Sequence, residues 1–90
     1  MTDAFRALAD PTRRAILDLL RGGSRTSGEI AERFGSSWPT ISRHLSVLRD
    51  AGLINAEKDG QFIRYELATT VFQDVMAKLV AWSDPHVKTE

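Results

Sequence analysis

The sequence predicts a mainly helical domain carrying one β-hairpin, and three observations predict it. Apolar residues recur at helical spacing in five separate segments. After Gly52 the period falls to two on either side of Asp59-Gly60, a dipeptide suited to a hairpin turn. The chain is 90 residues long, enough for one domain with a modest core, and no repeat or long linker divides it. A single domain over residues 1–90 is therefore expected, in the order helix, helix, helix, helix, hairpin, helix.

The first segment, "DAFRALA", has Phe5 and Leu8 three apart and suits a short amphipathic helix. "DPTRRAILDLLRGG" marks its own ends. Asp10 is a good N-cap, Pro11 fits the first helical position, and Gly22-Gly23 stops the helix. Ile16, Leu19 and Leu20 are its expected buried stripe. In "TSGEIAERFG", Thr26 and Glu29 form a capping box, Ile30 and Phe34 lie four apart, and Gly35 is the left-handed stop. The fourth helix starts after Ser37 and ends near Ala51-Gly52, with Ile41, Leu45 and Leu48 as its apolar stripe. The Asp59-Gly60 turn sets a register in which Lys58 faces Gln61, Ala56 faces Ile63 and Ile54 faces Tyr65. The other face pairs Asn55 with Arg64 and Glu57 with Phe62. The last helix covers "TTVFQDVMAKLVAW", with Thr70 and Gln73 as its capping box. The tail "SDPHVKTE" is expected to fray.

Composition excludes several functions. There is no cysteine, hence no disulfide, thiolate metal site or thiol redox sensing. No apolar run is long enough to span a membrane, and the N-terminus has no signal-peptide pattern, which fits a cytoplasmic protein. No His-carboxylate constellation or phosphate-cradling glycine loop suggests an enzyme, and no cofactor is expected. Net charge is zero, but residues 1–52 carry +2 and residues 53–90 carry −2, and nine of the twelve basic residues are Arg. The planar guanidinium suits phosphate and guanine.

The fourth helix carries the functional signal. Its outer face presents Pro39, Ser42, Arg43 and Ser46, which are small or basic where an ordinary surface helix mixes Glu and Lys. Two short helices joined tightly at Gly35 form a helix-turn-helix, and the following hairpin stands where a wing would stand. Small side chains let such a helix lie deep in the DNA major groove, with Arg43 reaching guanine O6 and N7. Asp50, at the far end, would be repelled by phosphate, so the N-terminal half should enter. The last helix presents Val71, Phe72, Val75, Met76, Leu79, Val80 and Trp82. So wide an apolar face in so short a chain calls for a partner helix, and a homodimer is expected with Phe5 and Leu8 joining the interface.

"LADPTRRAILDLLRGG", "SGEIAERFGSSWPTISRHLSVLRDAGLI" and "GQFIRYEL" together resemble the ArsR/SmtB family of winged-helix repressors. The likeness runs over residues 4–68, and "SRHL..LRDAGL" is its most specific part. Within the family the chain is similar to short, cysteine-free autorepressors. The resemblance implies five helices with a two-stranded wing, and a homodimer joined by the first and last helices. It also implies an inverted-repeat operator, its own promoter among the candidates. The resemblance implies groove contacts from Trp38, Pro39, Ser42 and Arg43 and wing contacts from Gln61 and Arg64; Thr40 and Ser46 of the same helix complete the expected DNA-contacting set. The family usually has a small polar residue where Trp38 stands.

Several residues admit two readings. Trp38 touches a thymine methyl or deoxyribose, or folds back on its own helix. His44, beside the buried stripe, hydrogen-bonds a neighbouring helix or contacts DNA. Arg13 and Arg14 clamp phosphates or solvate the second helix, with solvation favoured for Arg14. Arg64 is expected to hold phosphate, and Lys58 could do the same despite Glu57 and Asp59. Metal sensing, known in the family, lacks ligands: the last helix and tail offer only Asp74, Asp84 and His86, and no His pair at helical spacing. The signal releasing DNA would then be a protein, a small molecule or the protein's own concentration. The competing function is a winged-helix module that binds protein; zero net charge favours it, and the Ser/Arg face of the fourth helix opposes it.

Overall fold

The computed structural model describes residues 2–83. Asp84 and His86, weighed above as metal ligands, and the rest of the tail lie outside the described residues. Five helices and three strands follow in the order α1 (Thr2–Leu8), α2 (Pro11–Arg21), β1 (Arg25–Thr26), α3 (Ser27–Phe34), α4 (Trp38–Asp50), β2 (Ile54–Asp59), β3 (Phe62–Leu67) and α5 (Thr69–Ser83).

Local chemistry sets most boundaries where the sequence placed them. The Asp10 carboxylate accepts the Arg13 N–H at 3.0 Å and opens α2, with Pro11 in the first turn. Thr26 and Glu29 exchange both capping-box bonds at the start of α3. Gly35 closes α3 at φ 62°, a left-handed conformation that costs glycine nothing. The start of α5 differs from expectation. The helix begins at Thr69, and the Phe72 N–H bonds to the Ala68 carbonyl at 2.9 Å, so Thr70 lies inside the first turn and is no cap.

The core joins every layer. Ile16, Leu17 and Leu20 come from α2, Ile30 from α3, and Ile41, Leu45 and Leu48 from α4. Leu53, Ile54 and Tyr65 close it from the wing side, Ala4 and Ala7 from α1, and Val75 from α5. Each fully buried Leu or Ile contributes about 1.5–3 kcal/mol against exposure. Leu17 takes the buried position expected of Leu19, which is half-buried.

Two features of the sheet depart from the sequence reading. β1, not foreseen, pairs antiparallel with β3, so the order is β1-β3-β2 and the wing is part of a three-stranded sheet. The hairpin register is shifted by two residues: Asp59 faces Phe62, Lys58 faces Ile63, Glu57 faces Arg64 and Ala56 faces Tyr65. The shift is even, so each side chain keeps its expected face. The loop is Gly60-Gln61 instead of Asp59-Gly60. Gly60 alone takes positive φ, 65°, as a turn with glycine first requires; an Asp-Gly turn would need positive φ at Asp59 too. Asp59 stays in the strand, where its carboxylate accepts the Arg64 Nε–H at 3.0 Å.

Candidate nucleic-acid interface

α3, Gly35 and α4 form the helix-turn-helix. α3 ends at Gly35, whose N–H returns to Ala31 at 3.1 Å, and residues 35–37 turn the chain into α4. Ser37 is extended at the N-cap, but its hydroxyl donates to Thr40 Oγ1 at 3.0 Å and caps no backbone amide. The start of α4 thus carries a positive dipole end without a side-chain cap. Burial of Ile41, Leu45 and Leu48 turns the opposite face outward. Pro39, Thr40, Arg43 and Ser46 are exposed on it, Ser42 is half-buried, and Trp38 is 46 % exposed at the tip. Arg43 has no hydrogen bond or ion pair among the described residues, so its guanidinium is free to meet a ligand.

The other arginines of the sequence reading are already engaged. Arg13 donates from Nε to the Ala7 carbonyl at 2.8 Å, from Nη2 to the Arg6 carbonyl at 3.1 Å and from Nη1 to His44 Nδ1 at 3.3 Å. Arg14 donates to the Leu8 carbonyl at 2.8 Å. Together they satisfy the last carbonyls of α1, where cations are favoured. Anchoring the end of α1 is a role beside the two readings offered for them, and Arg14 remains exposed as solvation requires. His44 is a packed histidine bonded to a neighbouring helix, and Asp10 Oδ2 lies 3.9 Å from its Nδ1. The Arg13 amide hydrogen bond holds the Asp10 carboxyl below its ordinary pKa against the smaller opposing effect of burial, and the Arg13 charge adds to the lowering. The Glu29 carboxyl is lowered in the same way, first by the Thr26 amide.

On the wing, Gln61 sits exposed at the tip with Lys58 nearby on β2. Arg64 differs from expectation: its guanidinium is held by Asp59 and, through Nη1, by Ser24 Oγ at 3.3 Å. It ties the wing to the α2–β1 loop, and a phosphate contact would have to compete with these bonds. Sequence reading also missed the outward-facing wing tip, Phe62 at 51 % and Ile63 at 36 % exposure. Its only signal was the placing of Phe62 on the polar face of the hairpin.

The expected association face exists in part. Val71, Val80 and Trp82 are exposed on α5, while Phe72, Met76 and Leu79 are half-buried against the core, as are Phe5 and Leu8 of α1. Phe5 and Trp82 stack with ring centroids 5.3 Å apart, joining the first and last helices. Val75 is buried in its own chain and belongs to the core, not to a surface a partner could touch. Among the described residues no group of three or more His, Cys, Asp or Glu could hold a metal ion. Among them, too, no helix is long and apolar enough to cross a membrane.

A helix-turn-helix with a small, basic outer face and an adjoining β-hairpin defines a winged helix-turn-helix DNA-binding domain. Comparison with known proteins agrees. A family model described as bacterial regulatory protein, arsR family, matches residues 10–56. The transcriptional repressor SdpR of Bacillus subtilis (strain 168) is 55% identical over 74 residues, which are 82% of each chain. The arsenical resistance operon repressor of Staphylococcus aureus is 33% identical over 79 residues, 88% of this chain and 76% of that one. A crystal structure of a possible transcriptional regulator for arsenical resistance superposes with a TM-score of 0.85 at 33% identity over 98% of both chains. The chain belongs to the arsR family of bacterial regulatory proteins.

Proposed function

We propose that this chain is a homodimeric transcriptional repressor that binds an inverted-repeat operator, its own promoter among the candidates. The observation that carries the reading is the outward face of α4, where Arg43 stands free among Trp38, Pro39, Thr40, Ser42 and Ser46. No apolar anchor of the kind that dominates protein interfaces interrupts it beyond Trp38. Arg43 reads guanine, and Gln61 and Lys58 meet the flanking backbone. The exposed residues of α5, stacked on α1 through Phe5 and Trp82, supply the surface for a second copy. Two-fold symmetry then sets two copies of α4 about one DNA turn apart, roughly 34–36 Å. The release signal is a protein, a small molecule or a fall in the protein's own concentration. Selection of bound duplexes from a random library by the purified chain tests the reading. A two-fold symmetric consensus with salt-dependent affinity is expected. Failure to enrich any duplex would favour a protein-binding winged helix instead.

A further inference from the structure

The hydrophobic stripe of α4 fixes which face is buried, and side-chain packing sets its crossing angle only to within about 15–20°. A directional restraint comes from one place. Among the described residues, the Arg13–His44 bond is the single side-chain hydrogen bond linking α4 to another element. The same guanidinium also holds the carbonyls of Arg6 and Ala7 at the end of α1. An arginine side chain only donates, so His44 Nδ1 is the acceptor and carries no proton in this arrangement. The planar fork fixes the three acceptors relative to one another. Asp10 completes the junction by accepting the Arg13 N–H.

We propose that Arg13 is a positioning residue that sets the angle of α4 against α1, and through α1 the separation of the two reading helices in the dimer. The inference rests on the proposed dimeric repressor. His44 lies six residues from Trp38, about 9 Å along the helix axis, so a tilt of about 10° displaces the reading tip by roughly 1.6 Å. Symmetry repeats the displacement in the partner. Arg13 therefore determines which half-site spacing the dimer accepts, although it touches no base.

The test uses His44→Phe, which keeps a ring but loses the acceptor, and His44→Asn, whose Oδ1 takes the place of Nδ1. Because the chain has no cysteine, Arg49→Cys on the exposed side of α4 accepts a single spin label per protomer. Label-to-label distances are measured in the free protein by electron–electron double resonance. Unlabelled proteins are then titrated with the selected duplex and with versions whose half-sites are moved by one or two base pairs. With His44 intact, a narrow distance distribution and about tenfold preference for the native spacing are expected, the scale of one misplaced base contact. His44→Phe and Arg13→Lys should broaden the distribution and abolish the preference, and His44→Asn should restore both. A narrow distribution and intact spacing preference in His44→Phe would overturn the inference and leave the dimeric repressor standing. Absence of any dipolar coupling with His44 intact would overturn the dimer, and this inference with it.

Discussion

Arg43 and Arg64 both lie on surfaces that would face a duplex, but their surroundings differ, and removing them should have different consequences. Arg43 is exposed without an internal partner, so Arg43→Ala should change folding stability by less than about 0.5 kcal/mol. Its cost should appear on DNA. A bidentate guanine contact is worth about 1–3 kcal/mol, and a dimer makes two, so matched-duplex affinity should fall by roughly 2–6 kcal/mol, 30-fold or more. Arg64 spends its guanidinium on Asp59, whose side chain is 56% exposed, and on Ser24. An exposed pair is worth about 0–1 kcal/mol and a net hydrogen bond about 1 kcal/mol, so Arg64→Ala should cost the fold about 1–2 kcal/mol. It should lower affinity for all duplexes alike and leave the slope of log affinity against log salt nearly unchanged. Fluorescence anisotropy on matched and scrambled duplexes across a salt series, with thermal unfolding of each variant, measures all of these. If Arg43→Ala keeps the matched-to-scrambled ratio, α4 does not read bases through Arg43. If Arg64→Ala instead flattens the salt slope by about two, Arg64 leaves Asp59 to hold phosphate in each protomer.

Val80→Asp should leave the protomer folded, since Val80 is 62% exposed, while halving the mass seen by sedimentation at micromolar concentration; a monomer without the substitution would refute the association face. Gly35→Ala meets no atom within 4 Å, so its cost is purely that of the left-handed backbone, about 1–2 kcal/mol, read as a lower Tm at fixed protein concentration. Asp10 and Glu29 both titrate below their ordinary values when folded, so their stabilisation is complete above the ordinary carboxylate range and is lost as pH falls through the folded values. Acid unfolding of an Asp10→Asn, Glu29→Gln variant should accordingly depend less on pH in that window. One equivalent of Zn²⁺ should not change duplex affinity relative to chelator-treated protein; a reproducible loss would reveal a metal site beyond those the described residues can form.

What was legible in the sequence was what short-range chemistry decides. Asp10-Pro11, the Thr26/Glu29 box and Gly35 act within one helical turn, and each sits where the residue pattern placed it. The faces of α4 were legible because Ile41, Leu45 and Leu48 repeat at helical spacing over a long segment. The missed features depend on partners distant in the chain or on near-equal local choices. Thr26 is extended already as the N-cap of α3, but Arg25-Thr26 becomes a strand because β3 pairs alongside it. The choice between two glycine turns is tipped at Asp59, which gains Arg64 by staying in the strand. Arg13 and Arg14 read as surface basic residues because their acceptors are backbone carbonyls of another helix, which no side-chain pattern announces. Val75 fits an interface stripe as well as a core, and only the packing of α5 separates the two.

The two residues of β1 alter the mechanics of the whole hairpin. At Arg64 and Tyr65, β3 is paired on both edges, to Thr26 and Arg25 on one side and to Glu57 and Ala56 on the other. The hairpin is thus a beam built into the body of the domain at its root and free only over residues 58–63. A flap hinged at its base could swing to follow any groove; a clamped beam bends chiefly at its overhanging end. When the domain meets a duplex, most of the accommodation must then fall to the DNA, whose willingness to widen or narrow a groove depends on its sequence. Base pairs that the protein never touches would be sorted by their stiffness.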